Sequence, residues 1–356
     1  MAATELPPGA AWPSAAEAPP AGASKSIAVI IPSWNGAHLL PSCLDAVARQ
    51  TRRPEQVIVV DDGSTDDTVT LLRRDYPWVL PLVLAENGGF ARAVNAGLRA
   101  ARGDIAVLLN NDAEPEPDWL AALCAPLLSD VTGPSCTKPG TKRAANAPHA
   151  ERTQASCATK ILQADPPDVL HSAGDGYGRN GVPSNRGVWT SDDGRYDRQE
   201  WVFGSCAAAA AYRRDVVLAV GGFDEWLGMY CEDVDLAWRL QLRGYRCLYV
   251  PQARVRHRLS ATGGGPLASY FCGRNFLLVA ALNLPGPFLR RYWWRLLAAQ
   301  LRIAAEALWH SREPAARARL RGQWAGLRAL PAAWRRRRQR QSERHASLTA
   351  LDALLT

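Results

Sequence analysis

Four apolar, β-branched runs recur at near-regular intervals through the first third of the chain. They cover residues 26–33, 56–60, 80–85 and Ile105–Leu109, and residues 38–49 and 90–101 between them have helical spacing. Strands that alternate with helices pair in parallel, because each crossover is filled by a helix. The pattern predicts an α/β fold, a doubly wound and mostly parallel sheet flanked by helices. The run from Ile105 to Leu109 is apolar at all five positions, as in a strand buried on both faces. Pro115 and Pro117 then end it and open a helix.

Polar segments succeed these strands. The first ends at Pro32-Ser33-Trp34-Asn35-Gly36, the second at Asp61-Asp62-Gly63-Ser64-Thr65-Asp66-Asp67 and the fourth at Asn110-Asn111-Asp112; the third leads into Glu86-Asn87-Gly88-Gly89. In a parallel sheet the carboxyl ends lie on one edge, where open α/β sheets bind ligands. Each cluster alone also reads as a polar turn or a helix cap. A phosphate among acids and amides would be held through a divalent cation. No Walker lysine motif occurs. The one Gly-x-Gly-x-x-Gly, from Gly176 to Gly181, neither follows a strand nor opens a helix, so it reads as a loop.

The second half is less regular. Residues 133–167 read as loop, and 170–176 as a glycine-rich turn. The stretch 201–212, with Gly204-Ser205-Cys206 and five alanines, reads as a strand or a strand–helix passage, and 215–220 as a short helix. Glu232-Asp233-Val234-Asp235 opens a helix. Its three acids suit the helix dipole, yet they repel one another, and one is a candidate for the raised pKa of a general base. Residues 246–256 form a β-rich run ending at His257, which reads either as structural or as a ligand.

The 356 residues carry a net charge of +8, concentrated beyond residue 284, where arginines from Arg290 to Arg344 meet few acids. Such basicity points to a polyanion: an anionic membrane surface or nucleic acid. Eight cysteines lack metal-ligand spacing and read as buried hydrophobes in a reducing compartment. Residues 1–25 lack a signal peptide's pattern and read as a disordered leader. No stretch of spanning length is apolar throughout, so a cytoplasmic protein is expected, held at most peripherally at the inner face of the plasma membrane.

The motifs from Ile30 to Gly36 and Val59 to Asp66, Asn87-Gly88-Gly89-Phe90-Ala91, Leu109-Asn110-Asn111-Asp112, Val220 to Glu225 and Glu232 to Leu236 together resemble family-2 glycosyltransferases of the GT-A fold, over residues 26–283. Each is weak alone; their order and spacing carry the likeness, which is nearest to rhamnosyltransferase-like members that build bacterial envelope glycans. The resemblance implies a domain division of 1–25 leader, 26–283 catalytic and 284–356 helical, and an inverting, metal-dependent enzyme. It would move one sugar, rhamnose among the candidates, from a nucleotide-diphosphate sugar to a glycan or lipid-linked acceptor. Pro32, Trp34, Asn35, Asp61, Asp62, Asn87, Gly88, Asn110 and Asn111 would bind the donor. Asp112 and His257 would hold Mg2+ or Mn2+, with Asn110 standing where the family carries the first acid of its metal motif. Asp233 would be the general base, beside Glu232. The Gln-x-x-Arg-Trp motif of processive members is missing, so few sugars per acceptor are expected.

The tail mixes Trp293, Trp294, Leu296, Leu297, Leu301 and Ile303 with arginines. It reads either as an interfacial helix at an anionic bilayer or as helices packed on the domain with a solvated basic face. Two rivals remain: a non-catalytic nucleotide-sugar-binding scaffold on the same fold, motivated by Asn110, and a nucleic-acid module. The second lacks a base-reading motif, and nucleic acid is not expected as a partner.

Overall fold

The computed structural model describes residues 25–129, 153–258 and 264–356. β1 (Ile27–Ser33), β2 (Gln56–Asp61), β3 (Leu80–Val83) and β4 (Ile105–Leu109) alternate with α1 (Leu40–Ala48), α2 (Thr68–Asp75) and α3 (Phe90–Ala100). They pair in parallel in the order β4-β1-β2-β3. Successive strand residues face opposite sides. Ile27, Val29, Ile31, Val57 and Val59 pack against α1 and α4 (Trp119–Leu128). Ala28, Ile30, Ile58 and Val60 pack against α3 on the other face. The doubly wound expectation holds for this half.

The other half of the sheet is mixed. β5 (Ala113–Pro115) pairs with the end of β12 (Arg246–His257). β6 (Gln154–Gln163) is parallel to β12, and β11 (Ala209–Arg213) runs antiparallel between β6 and β4. β10 (Glu200–Val202) closes the edge against β12, and β7 (Leu170–Ala173) pairs with β6. β8 (Asp175–Tyr177) and β9 (Pro183–Asn185) form a separate hairpin. α5 (Arg214–Ala219) and α6 (Glu232–Leu242) complete this half.

Several expectations need correction. Within 133–167, read as loop, residues 154–163 are a fully buried strand; residues 133–152 lie outside the described residues, as does the expected leader except Lys25. The strand was hidden because its sequence is small and polar, with Lys160 inside it. That ammonium is buried but paired with Asp192 and Asp197, which offsets the cost of an enclosed charge. Pro115 ends a short strand rather than opening a helix, and α4 begins at Trp119. The glycine run from Gly176 falls in the β8–β9 hairpin and opens no helix.

Beyond the sheet come α7 (Gly265–Asn283), α8 (Gly286–Trp309), α9 (Pro314–Ser342) and α10 (Leu348–Asp352). α7 and α9 cross with their backbones nearly touching. A Cβ at Gly322 would fall 2.0 Å from the Tyr270 carbonyl oxygen, so only glycine fits there. Leu282, Leu284, Phe288, Ala333 and Leu351 share a core with Trp238 of α6. The tail is therefore packed, as one of its two readings held. Among the described residues no helix is long and apolar enough to cross a membrane, and the seven described cysteines are unpaired.

Candidate active site

The strand ends of the parallel half are shaped by local hydrogen bonds. Asn35 adopts φ +50°, which Asn tolerates better than most residues. Its Oδ1 accepts from the Thr65 amide at 2.8 Å, and its own amide donates to Ser64 Oγ at 2.7 Å. Asp61, buried, accepts from the Ser64 amide through Oδ2, while Oδ1 has no partner. A buried acceptor without a donor is costly, so an N–H brought by a ligand would be well received. Pro32 is buried in β1 opposite Val60, and Trp34 is half exposed just beyond it.

Two of the expected donor residues also brace the strand ends. Both oxygens of Asp62 accept backbone N–H groups, from Gly88 at 2.9 Å and Gly89 at 2.8 Å, which fixes the exposed Asn87-Gly88-Gly89 turn at the start of α3. Asn111 donates to Ser33 Oγ at 2.9 Å and ties the end of β4 to β1.

A cleft of about 410 Å³ lies beside these ends. Asn110, Asp112, Glu232, Asp233 and His257 all line it; Pro32, Trp34, Asn35, Asp61, Asp62, Asn87, Gly88 and Asn111 do not. The pairing of β12 with β5 sets His257 opposite Ala113, and so brings it to Asp112 across 145 residues. His257 Nε2 lies 2.9 Å from Asp112 Oδ1, and Asn110 Nδ2 lies 3.5 Å from the same nitrogen. His171 stacks on His257 with ring centroids 5.2 Å apart and Nδ1 to Nδ1 at 3.2 Å. Burial, aided by His257, pushes the His171 imidazole down to about 4. A neutral His171 can accept from His257 Nδ1, which turns Nε2 towards Asp112.

These residues fit a divalent ion. In an octahedral site with bonds of about 2.1 Å, neighbouring ligand atoms are about 3.0 Å apart. Asp112 Oδ1 and His257 Nε2, 2.9 Å apart at hydrogen-bond distance, are close enough to serve as neighbouring ligands of one ion. Among the described residues no third acid, His or Cys completes a cage. That suits an ion sharing its shell with phosphate oxygens and water.

The opposite wall is the first turn of α6. Tyr230 and Cys231 enter it at φ +61° and +67°. Asn275 of α7 holds this bend by donating to the carbonyls of Leu227, Met229 and Tyr230. Asp233 opens partly to the cleft. Its Oδ2 accepts from the Ala207 amide at 3.1 Å and Oδ1 from the Val234 amide at 2.8 Å. Burial raises its pKa, and the two N–H bonds partly offset the rise. Glu232 is pushed well up by burial and by Asp233, and its Oε2 has no partner.

Asp235 behaves oppositely. It points away from the cleft to Arg239 at 2.8 Å, Asn283 at 2.8 Å and Arg340 of α9. Burial pushes its carboxyl up, but Arg340 and Arg239 outweigh that and hold it at about 2. Arg340 also grips Asp224, which Arg336 bonds at 3.0 Å. Of the three acids expected to crowd one helix turn, two face the cleft and one anchors the helix to the tail.

Two lining residues escaped sequence reasoning. Asp175 is buried, and burial followed by Asp233 raises its pKa well above the usual range. It and His171 sit in His171-Ser172-Ala173-Gly174-Asp175-Gly176, which reads as a turn. The only signal was two functional residue types inside a glycine-rich segment.

Comparison with known proteins agrees with this architecture. Residues 28–218, over half of the chain, match the glycosyl transferase family 2 model, and residues 191–312 match that of glycosyl transferase family group 2. An N-acetylglucosaminyl-diphospho-decaprenol L-rhamnosyltransferase of Mycobacterium tuberculosis is 31% identical over 257 residues, 67% of this chain and 78% of that protein. The O-antigen chain rhamnosyltransferase RfbN of Salmonella typhimurium is 25% identical over 69% of this chain and 70% of its own length. Two solved structures share the GT-A fold. GalNAc-T7 with UDP, GalNAc and Mn2+ has TM-score 0.53 and 16% identity, covering 72% of this chain and 48% of that one. The mannosyltransferase PcManGT from Pyrobaculum calidifontis, with GDP-Man and Mn2+, has TM-score 0.50 and 20% identity, covering 94% and 79%. The chain is thus a glycosyltransferase of the GT-A fold and belongs to glycosyltransferase family 2.

Proposed function

We propose that the protein transfers a single sugar, rhamnose, with inversion, from a nucleotide-diphosphate donor to a lipid-linked acceptor of an envelope glycan. The observation that carries this is Asp233: a carboxylate of raised pKa in the same cleft as the Asp112–His257 pair. Rhamnose and the lipid-linked acceptor are taken from the named activity of the M. tuberculosis relative.

In this reading Asp61 Oδ1 accepts an N–H of the donor's base, and the turn braced by Asp62 frames the donor. Asp112 and His257 would hold Mg2+ or Mn2+, which when bound would neutralise charge on the departing diphosphate. Asp233 takes the proton from the acceptor hydroxyl as that oxygen attacks the anomeric carbon. Glu232 and Asp175 stay protonated beside it, since three close carboxylates do not all ionise. One displacement with one base inverts the centre.

The tail supports work at the cytoplasmic face of the membrane. Trp293, Trp294, Leu297, Leu301 and Leu308 are all exposed on α8, beside Arg290, Arg291, Arg295 and Arg302. That pairing of apolar and cationic surface suits an anionic bilayer.

The test is release of nucleoside diphosphate from a panel of uridine- and thymidine-diphosphate sugars, with lipid-linked acceptors added. Loss of turnover in Asp233→Asn and Asp112→Ala, with donor binding kept in the former, is the expected result. Asn110 favours a second reading, a sugar-nucleotide-binding scaffold. Donor binding without turnover on any acceptor would favour that scaffold.

A further inference from the structure

A second cavity, of about 340 Å³, lies between α7, α8 and α9. It is not isolated from the cleft. Phe276 lines both, and Val182 of the second cavity directly precedes Pro183 of the first. Its floor is apolar, with Val182, Phe276, Ile303 and Ala307. Two guanidiniums reach it. Arg319 lies over the Phe276 ring, 5.5 Å from the centroid, and Arg302 projects from α8. Among the described residues neither pairs with a carboxylate, although Arg319 hydrogen-bonds Cys272 of the first cleft; the arginines behind α6 are engaged by Asp224 and Asp235. The cavity also carries two acids. Glu313 faces His310 Nδ1 at 3.4 Å, and Glu306 is exposed.

α8 connects this cavity to the outside. Phe288, Tyr292, Ala299 and Ala307 are buried on one side of the helix. At about 100° per residue, the exposed stripe of Trp293, Leu297, Leu301 and Leu308 falls on a different side. The helix is thus apolar on two sides.

We propose that this groove seats the phosphate-bearing lipid end of the acceptor, with Arg302 and Arg319 contacting the diphosphate, Phe276 separating it from the reacting sugar, and the hydrocarbon leaving along α8. The continuity through Phe276 selects the acceptor over a second protein copy, and two guanidiniums that no carboxylate ion-pairs select an anionic lipid over a neutral one. The inference rests on the lipid-linked acceptor proposed above.

Binding is measured first on the full chain without donor, using farnesyl diphosphate, farnesol and inorganic pyrophosphate as probes. Farnesyl diphosphate is expected to bind at least tenfold tighter than either fragment. Arg302→Gln and Arg319→Gln should each weaken it about tenfold, Arg319→Lys less, and Glu306→Gln should tighten it. Equal binding of farnesol and farnesyl diphosphate, or indifference to both arginine substitutions in variants that keep the wild-type melting temperature, overturns the site. Transfer is measured second, to a sugar on prenyl diphosphate and to the same sugar as a short alkyl glycoside. Both arginine variants should lower the ratio of kcat/KM for the two acceptors, and an unchanged ratio overturns the proposal. Absence of transfer by the wild type to either acceptor counts against the proposed function, while the binding experiment still decides the groove.

Discussion

The two halves of the sheet build their shares of the site by different means. Between β1 and α3, the groups at the strand ends are held by partners at most 30 residues away, within the parallel half itself: Asp61 by Ser64, Asn35 by Thr65, and the Gly88-Gly89 turn by Asp62. Between β6 and α6, they are held from afar. His257 meets Asp112 through β-pairing across 145 residues, and the α6 bend hangs on Asn275, 45 residues beyond Tyr230. A donor-side group should therefore fail by itself, and a group of the second half should fail with its supports.

The hardest test of this contrast is Asp233→Asn, which should lower transfer by about 10³-fold or more while donor binding persists. The wild-type rate should also fall as pH drops through a value above the usual carboxylate range of about 4, because burial raises the Asp233 pKa. An acid limb at the ordinary value would break the assignment. Next is Arg340→Gln, far from the cleft, which strips buried Asp235 of a counter-charge and should cost about 3–5 kcal/mol in urea unfolding at pH 7. Since Asp235 sits at about 2 in the fold, its stabilisation is present above the ordinary carboxylate value and is lost as pH falls towards 2. The cost should shrink accordingly in acid, and a pH-independent cost would refute the ion-pair account.

In the local half the effect should be narrower. Asp61→Asn should raise the donor KM about tenfold with a smaller change in kcat, consistent with one hydrogen bond to a charged group. Loss of kcat alone would place Asp61 elsewhere in the mechanism. Glu232→Gln should stabilise the protein by about 1 kcal/mol near pH 8. The sign comes from its raised pKa: the protonated side chain suits the fold, so stability is full below the ordinary value and declines as pH rises through the folded one. The gain should vanish in acid, and a destabilised Gln variant at pH 8 would break this reading. Smallest in stability is Leu297→Ala on α8, expected within about 0.5 kcal/mol because the side chain is exposed. Its effect should appear as weaker binding to anionic vesicles, and unchanged binding would sink the membrane role.

The same contrast explains what the sequence reveals. In the first half apolar strands alternate with helices, and β4 has no polar residue to obscure it. Local pattern is enough there, down to Asp61 and Asn35. In the second half β6 buries Lys160, Thr159 and Ser156, whose partners lie tens of residues away or in other strands, so its pattern imitates a loop. Asp175 belongs to a three-residue strand too short to register as periodic. Asp62 and Asn111 were legible as polar strand-end residues, but no spacing rule shows the backbone and hydroxyl groups they hold. Asp224 and Asp235 stood inside recognised motifs, yet the reason for them, Arg340, lies more than a hundred residues later.

The β5–β12 pairing has a consequence for the order of folding. Joining Ala113 to His257 closes a loop of more than a hundred residues, a contact whose entropic cost is met only after the strands between have docked. The parallel half, with its short crossovers, is free to form earlier. A refolding chain should therefore protect the β1 and β2 amides from solvent exchange before those of β5, passing through a species with an ordered parallel half in which Asp112 and His257 have yet to meet. Pulse-labelled hydrogen exchange would resolve the two stages, and simultaneous protection of both would show that the sheet closes as one unit.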